Sequence, residues 1–340
     1  LRAQMRPVED KGPRVPREEE RGIGERWLAC PDLLAATVED LHTLGVVGEE
    51  ENLALLYLVA VSRKLARPLS AILRASSGAG KSTLVETVER LVPPEEVVSL
   101  SGLSAHALYY MDRTALKHRL LVVEERTGVG ESDYGLRLLQ SKGFLRRAVV
   151  LLDPVSGRTR TVEITVEGPC AVMETTTRGV NPENASRSFL LYPDESAAQT
   201  RAVLCEQAKR YGSHGVKRSG EAEGIVSRHH AAQRLLASFP VLIPFAEGIE
   251  FPSASLRARR EHARFWSLVE ASAILHQRQR RRRMVAGANG AETEAIEASP
   301  DDYAVAYRLT ERILGPSLLE IPRPAVDLLE AARVLCRKRA

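Results

Sequence analysis

The sequence SSGAGKST, residues 76–83, lies directly after an apolar run at residues 69–73 and directly before a helical pattern at residues 84–91. Strand, small-residue loop, Gly-Lys-Ser and helix, in this order, are the context in which such a loop binds phosphate. Small residues let backbone N–H groups close around phosphate oxygens, and the N-terminus of the following helix attracts the same anion. The stretch therefore predicts an α/β fold in which a phosphate-binding loop connects a strand to a helix.

The polar side chains of this loop indicate a nucleotide with a metal ion. Lys81 can reach the β- and γ-phosphates, and the hydroxyl of Ser82 can hold Mg²⁺. One position departs from the usual pattern, because Ala75 stands where Gly normally opens the loop. Alanine costs little there if φ is negative and more if φ is positive. The residues that we expect to bind the nucleotide are Ser77, Gly78, Ala79, Gly80, Lys81, Ser82 and Thr83.

Composition excludes several other classes of protein. No apolar run reaches the roughly 18 residues that span a bilayer, and the charged, Pro-rich N-terminus shows no secretory pattern. Four cysteines lie far apart, without disulfide density or metal-ligand spacing, so we expect a cytoplasmic protein with no membrane partner. The net charge of +4 is too mild to indicate nucleic acid. The basic run at residues 277–283 is either a solvated helix end or a nucleic-acid contact.

The pattern along the chain predicts several regions. Strands alternate with helices after the loop, which favours a parallel sheet between helices. We expect a disordered segment or linker at 1–24, N-terminal helices at 25–67, the nucleotide-binding core at 68–198, a helical region at 199–315, and a linker or the start of a further domain at 316–340.

An acidic pair follows the second long apolar strand pattern. In LLVVEE, residues 120–125, four apolar residues predict a buried strand, and Glu124 and Glu125 emerge at its carboxyl end. Ligands in open α/β sheets bind at that edge. We expect Glu124 to act on Mg²⁺ and Glu125 to polarise the attacking water. The alternative is a strand that ends in surface acids, but the position after a phosphate loop favours the functional interpretation.

A β-hairpin is predicted between the acidic strand and the next core strand. Residues 147–167 contain two strand patterns around DPVSGR, which has the residues of a turn. Arg158 and Arg160 lie at its tip. The hairpin is either an ordinary surface feature or a basic finger that contacts the charged backbone of a nucleic acid.

The order of these motifs, with METTT at 173–177 and ASRSF at 185–189, resembles the ATPase core of hairpin-inserted AAA+ proteins. More closely, the chain resembles the minichromosome-maintenance (MCM)-like helicase modules in primase–helicase proteins of bacterial mobile elements and phages. The resemblance covers about residues 60–315. It implies an AAA+ P-loop core followed by a helical lid, and a ring of usually six subunits that hydrolyses ATP with Mg²⁺ and moves along single-stranded or forked DNA. A primase domain or protein is a further partner that it implies.

The resemblance also assigns roles to individual residues. Thr176 or Thr177 falls at the sensor-one position, which orients a water molecule. Arg187 lies in a segment similar to the family's Ser-Arg-Phe, with one residue inserted. It is then the arginine finger, whose guanidinium stabilises charge on the phosphoryl group bound by the neighbouring subunit.

A long amphipathic helix is expected over residues 253–283. It resembles the lid helix that carries the sensor-two arginine. Arg260 is the candidate for that nucleotide contact, with Arg257 as the alternative.

Two functions from different classes are consistent with these features. The first is an ATP-dependent DNA helicase or translocase that works as a ring in the replication of a mobile element or phage. The second is a nucleotide-switched AAA+ regulatory or assembly ATPase that moves no nucleic acid. Only the first gives Arg158 and Arg160 a role. A third option, a phosphotransferase, would act as a monomer and would not need Arg187.

Overall fold

The computed structural model describes residues 12, 14–104, 106–125, 131–152, 157–211, 214–253, 256–286, 290, 292–318 and 328. In chain order, its helices and strands are α1 (Glu18–Leu28), α2 (Leu33–Thr43), α3 (Glu50–Val61), β1 (Ser70–Arg74), α4 (Lys81–Glu89), β2 (Val97–Leu100), β3 (Arg119–Val123), α5 (Glu131–Lys142), β4 (Phe144–Leu152), β5 (Thr159–Glu167), β6 (Cys170–Thr176), α6 (Pro182–Ala185), β7 (Phe189–Leu191), α7 (Ala197–Arg210), α8 (His214–Leu235), β8 (Val241–Leu242), α9 (Ala258–Leu275), β9 (Arg282–Ala286), β10 (Glu292–Glu297) and α10 (Pro300–Leu318).

Five strands form one parallel sheet in the order β2-β3-β6-β1-β7. Strands β3 and β6 are buried along their whole length, which is typical of strands covered on both faces. Because all five strands run in the same direction, their carboxyl ends meet at one edge, where ligands bind in open α/β sheets. The predicted α/β fold class, a P-loop core with a parallel sheet between helices, is confirmed.

Helices cover both faces of this sheet. One face packs against α3 and α4, and α9 packs against α3, so α3 lies between the sheet and α9 and is buried on all sides from Leu53 to Val61. The other face packs against α5 and the base of the β4–β5 hairpin, through a cluster that includes Leu136, Leu145 and Val166. The sheet is therefore a rigid support for whatever lies at its carboxyl edge.

Strands β4 and β5 form the expected hairpin, a separate two-stranded antiparallel sheet between α5 and β6. Its register runs from Phe144 opposite Glu167 to Leu152 opposite Thr159, so it begins three residues earlier than the predicted segment. The tip residues 153–156 lie outside the described part of the chain.

The N-terminal segment differs from the prediction of a linker over residues 1–24. Helix α1 begins at Glu18, and the Glu20 carboxylate accepts a hydrogen bond from the Arg17 N–H at 3.0 Å, which caps the first turn. Only Gly24 and Leu28 of this helix are buried, and α1 packs against α8. Because only a narrow face of α1 is buried, most of its residues are polar. The sequence pattern therefore did not predict a helix here. Residues 1–11 and 13 lie outside the described residues.

The region at 199–315 contains helices α7 to α10, as predicted, and also a three-stranded sheet in the order β8-β10-β9 that was not predicted. Helix α9 ends at Leu275 instead of continuing to residue 283. Tertiary hydrogen bonds stop it: Gln279 donates to the carbonyls of Leu28 and Cys30 at 2.7 and 2.6 Å. Arg280 makes two hydrogen bonds of 2.6 Å to Asp302. Arg280 is thus structural, whereas the other arginines of the basic run, Arg278, Arg281, Arg282 and Arg283, are exposed.

Helix α10 extends to Leu318, slightly beyond the predicted boundary at 315. The segment 319–340, for which a linker or further domain is expected, lies outside the described residues except for position 328. Among the described residues, no helix combines the length and the apolar character needed to cross a bilayer.

Candidate nucleotide-binding site

The phosphate loop connects β1 to α4, in the context that the sequence predicts. Gly78 and Gly80 have φ of +85° and +82°, and no atom lies within 4 Å of a Cβ placed on either residue. Glycine is therefore required by backbone conformation and not by space. Positive φ at a non-glycine residue occurs, in the described ranges, at Glu49, His118 and Glu125. Ala75 is not among them, so alanine causes no strain at the first position of the loop.

Lys81 is held against the loop by the loop's own carbonyl groups. Its Nζ donates to the carbonyl oxygens of Ala75 and Ser76 at 2.9 and 2.6 Å, and the residue is only 8% exposed. Ser82 and Thr83 follow in the first turn of α4 and are exposed. The N-terminus of α4 adds a partial positive charge at the same place. The loop thus presents an ammonium group, backbone N–H groups and hydroxyls to an anion.

The acidic pair emerges at the same edge of the sheet. The N–H of Glu124 donates to the carbonyl of Leu100 at 2.9 Å, so Glu124 still continues the ladder between β3 and β2. Glu125 then leaves the strand with φ of +40°, and its N–H donates to Thr175 Oγ1 at 3.2 Å. A non-glycine residue in this conformation stores backbone strain, which clusters at functional sites. The strain falls on the residue predicted to activate water.

The donor set at this edge fits Mg²⁺. Strand register places Val123 opposite Glu174, and Thr175 opposite Leu73, so Glu124 is level with the last residues of β1. Burial, together with the negative charge of Glu124, raises the pKa of Glu89 on α4. A carboxylate from Glu124 and a hydroxyl from Ser82 are the hard oxygen ligands that Mg²⁺ takes alongside phosphate.

The threonines at the end of β6 have different positions. Thr176 is buried at the end of the strand, and its Oγ1 accepts from the Arg178 N–H at 3.1 Å. Thr177 lies beyond the strand and is exposed. Thr175, which was not predicted, is the one whose hydroxyl contacts Glu125. The sequence could not separate three successive threonines without the register of β6.

Arg187 lies at the opposite end of the sheet from the phosphate loop. It precedes β7, whose Phe189 pairs with Ala71 near the start of β1, and its Nε donates to Ser141 Oγ at 3.1 Å near the C-terminus of α5. Strands rise about 3.3 Å per residue, so β1 alone separates Arg187 from the loop by roughly 15 Å. That distance is too great for Arg187 to reach a phosphate bound in the loop of its own chain.

Arg260 is brought to the same end. Its Nη1 donates to Ser186 Oγ at 2.5 Å. Burial, and then the positive charges of Arg260 and Arg137, lower the pKa of Arg187, so three guanidinium groups converge. Arg257, the alternative candidate, is the residue that precedes α9. Like Arg187, Arg260 is placed away from the loop of its own chain.

A family model described as the MTBMA_p00010 P-loop domain matches residues 32–231. The chain belongs to this P-loop domain family. No curated protein matches it. The part that matches the MTBMA_p00010 P-loop domain includes the loop, the acidic strand, the hairpin and Arg187, whereas α9 with Arg260 lies outside the match. The family and the fold together make this chain a P-loop domain of the nucleotide-binding class.

Sequence reasoning missed two further arginines, Arg137 within the P-loop domain and Arg264 on α9. Arg137 Nη1 donates to Asn184 Oδ1 at 3.2 Å, and its Nε lies 3.3 Å from Glu183 Oε2. Arg264 donates to the carbonyl of Ser188, and its guanidinium lies 5.1 Å from the centre of the Phe189 ring. These contacts hold the α6–β7 segment that carries Arg187. The spacing of Arg260 and Arg264, four residues apart on a predicted helix, was the one available signal.

The hairpin of the P-loop domain presents basic and apolar groups near its tip. Arg158 and Arg160 are exposed, as the sequence predicts. Val150 and Leu152 are 68% and 65% exposed. They pair with Thr161 and Thr159, whereas Arg160 pairs with Leu151, so the two apolar side chains lie on the opposite face of the hairpin from Arg160. Only one face of the hairpin base, at Leu145 and Val166, is buried against α5, while Phe144 and Arg146 there are exposed.

Proposed function

We propose that this chain is an ATP-dependent motor of the MCM-like AAA+ helicase type, in which each active site forms between two subunits of a ring. One observation carries the proposal: Lys81 and the acidic pair lie at the carboxyl edge of the sheet, whereas Arg187 and Arg260 lie at its other end. Since these arginines are remote from their own loop, they can assist hydrolysis only at a loop supplied by another copy.

In the proposed mechanism, one subunit binds and activates. The loop residues Gly78 to Thr83 hold the phosphates, with Lys81 countering their charge. Ser82 and Glu124 would hold Mg²⁺, which would supply positive charge beside the transferring phosphoryl group. Glu125 accepts a proton from the attacking water, or orients that water, at its carboxylate. Thr175 fixes the backbone of Glu125 by accepting its N–H, and Thr176 or Thr177 is the candidate for a further contact to water.

The neighbouring subunit supplies positive charge. Arg187 is the candidate finger, and Arg260 is the second candidate cation beside it. Burial first, and then the positive charge of Arg260, lower the pKa of Arg187, and an anion that enters between the two guanidinium groups offsets their repulsion. A guanidinium in this role accelerates phosphoryl transfer by roughly 10³–10⁵-fold.

The hairpin is the proposed contact to DNA. Arg158 and Arg160 are exposed and basic, as binding to a phosphate backbone requires. The exposed side chains of Val150 and Leu152, on the other face of the hairpin, add an apolar surface that a base can contact. We propose single-stranded or forked DNA as the partner, a hexamer as the assembly, and replication of a mobile element or phage, alongside a primase, as the context.

Mixed assemblies provide the decisive experiment. Lys81→Ala removes the loop cation and Arg187→Ala removes the finger, so each variant alone should lose ATP hydrolysis. An equal mixture should regain activity, because about a quarter of random interfaces pair an intact loop with an intact finger. A mixture as inactive as its components, or turnover by an Arg187→Ala monomer at the parent rate, would overturn the shared site.

The effect of DNA separates the motor from the regulatory ATPase. Single-stranded DNA should stimulate ATP hydrolysis by the parent chain, and the Arg158→Ala/Arg160→Ala double variant should lose this stimulation. A ring whose turnover ignores DNA would instead support the regulatory or assembly function.

A further inference from the structure

An acidic side chain is bound to the first residues of the phosphate loop. The backbone N–H of Ser76 donates to Glu195 Oε1 at 2.7 Å, and the Ser76 hydroxyl donates to Glu195 Oε2 at 3.2 Å. Glu195 belongs to the connection between β7 and α7, and neither the loop motif nor the proposed mechanism gives it a role. The Ser76 carbonyl is at the same time an acceptor for Lys81, so one residue links this carboxylate to the lysine of the site.

The segment that carries Glu195 is fixed on its other side. The N–H of Asp194 donates to Glu49 Oε1 at 2.6 Å, and Asn52 donates to the Tyr192 carbonyl at 3.2 Å. Gln199 donates to the Val47 carbonyl at 2.6 Å. The segment 192–199 therefore bridges the loop before α3, the phosphate loop and the start of α7. These hydrogen bonds fix the connection between β7 and α7. The position of the Glu195 carboxylate beside Ser76 is therefore set by the backbone of this connection.

This contact places the negative charge of Glu195 beside the loop that is proposed to bind the negatively charged phosphates. A nucleoside triphosphate adds several negative charges within the same loop, and like charges at such distances repel measurably even in a partly aqueous environment. Nucleotide binding and the Glu195–Ser76 contact therefore oppose each other. By thermodynamic linkage, if nucleotide binding weakens the Glu195–Ser76 contact, that contact lowers the affinity for the nucleotide by the same factor.

The geometry points to Glu195 as a positioning residue that holds the phosphate loop through Ser76 and sets the loop's affinity according to the phosphate charge of the nucleotide. This inference rests on the nucleotide binding of the proposed function, but not on the ring or on DNA. Release of Ser76 upon triphosphate binding would free the connection to α7, so the same contact links occupancy of the loop to the helices that follow the core.

The test is the affinity of Glu195→Gln for a non-hydrolysable ATP analogue, ADP and AMP, measured at equilibrium without DNA. Glutamine keeps an acceptor for the Ser76 N–H but removes the charge. We expect binding of the triphosphate to tighten by about three- to tenfold, binding of ADP to tighten less, and binding of AMP to change little. Asp194→Asn is the matched control, since its carboxylate accepts from the Ser196 N–H at 2.8 Å and not from the loop. It should leave all three affinities near the parent values.

Each other outcome has a defined meaning. Equal weakening for all three nucleotides would overturn the inference, and would indicate that the carboxylate accepts a hydrogen bond from the ribose. Unchanged affinities would overturn it as well, while leaving the proposed motor intact. Failure of the parent chain to bind any nucleotide would overturn both. Thermal unfolding of each variant without nucleotide shows that the loop, and not the fold, has changed.

Discussion

Arg260 donates a hydrogen bond to the hydroxyl of Ser186 at 2.5 Å, although 74 positions separate the two residues. The contact joins α9, which lies beyond the family match, to the segment that carries Arg187. It places two candidate cations for one nucleotide on the same end of the sheet. The region after the core therefore contributes to the same proposed site as the core itself.

Replacing Arg260 tests that contribution. We expect Arg260→Ala to lower kcat about 10- to 100-fold with a small change in KM for ATP, because the lost charge acts on the transition state at a neighbouring loop. Steady-state ATP hydrolysis at a fixed protein concentration measures this. Arg259→Ala removes an adjacent, exposed arginine and should be close to the parent. An equal loss of kcat in Arg260→Ala and Arg259→Ala would mean that the positive charge of the whole region, and not Arg260 in particular, supports hydrolysis.

Thr175→Val tests the support of the candidate catalytic acid. Valine keeps the shape of threonine but leaves the Glu125 N–H without its acceptor, which costs about 1–3 kcal/mol in a buried setting. We expect kcat to fall about tenfold while nucleotide affinity is retained. Thr177→Val, at an exposed position beyond the strand, is the matched control. A larger loss in Thr177→Val would return the sensor-one role to Thr177.

Glu96 should make stability depend on pH below neutrality. Burial acts to raise the pKa of Glu96, but the charges of Arg63 and Lys64 outweigh it and lower that pKa to about 2 from 4.5. A lowered folded-state pKa contributes stability that is present above pH 4.5 and is lost as the pH falls towards 2. Urea unfolding between pH 7 and pH 3 should show this loss.

The variant Glu96→Gln isolates the effect. It leaves the fully buried Arg63 side chain without its carboxylate partner and should reduce the free energy of unfolding at pH 7 by about 3 kcal/mol. Its pH dependence between 4.5 and 2 should be shallower than that of the parent. Glu39→Gln, which removes an exposed carboxylate, should change neither quantity. A parent-like slope in Glu96→Gln would mean that other carboxylates dominate acid unfolding.

Asp302 is expected to be essential for the packing of α10. It is fully buried and accepts hydrogen bonds from Arg280 and Ser272. We expect Asp302→Asn to reduce the free energy of unfolding by about 3 kcal/mol or more, since a guanidinium charge is left without its counter-ion. Asp301→Asn changes the neighbouring exposed residue and should have little effect, by thermal or urea unfolding.

Local patterns predicted most of the core. The phosphate loop, the buried acidic strand and the hairpin follow from contiguous residues, and each is present where the sequence placed it, because short-range periodicity and turn chemistry decide such elements. The candidate roles of Glu125, Arg187 and Arg260 remain predictions. The sequence did not determine the register of β6, and therefore did not show which threonine contacts Glu125.

The failures arose where distant contacts override local preference. Residues 277–283 have a helical and basic pattern, yet Gln279 and Arg280 are held by backbone and carboxylate groups from other elements. Glu195 could not be predicted, because nothing near it in the chain shows that its carboxylate reaches Ser76. Such residues acquire their role only through the fold.

The placement of Lys81 and Arg187 at opposite ends of one sheet has a consequence for how copies could assemble. A subunit that gives its arginines to one neighbour and offers its loop to another makes a heterologous contact, as in the proposed ring, whereas a two-fold pair would match both ends of the sheet between the same two copies. Head-to-tail addition of such subunits stops only when a closed ring forms. Otherwise it continues as an open helical filament. A copy without Arg187 and Arg260 would still offer its loop to one neighbour. Only the one site in the assembly that needs its arginines would be inactive.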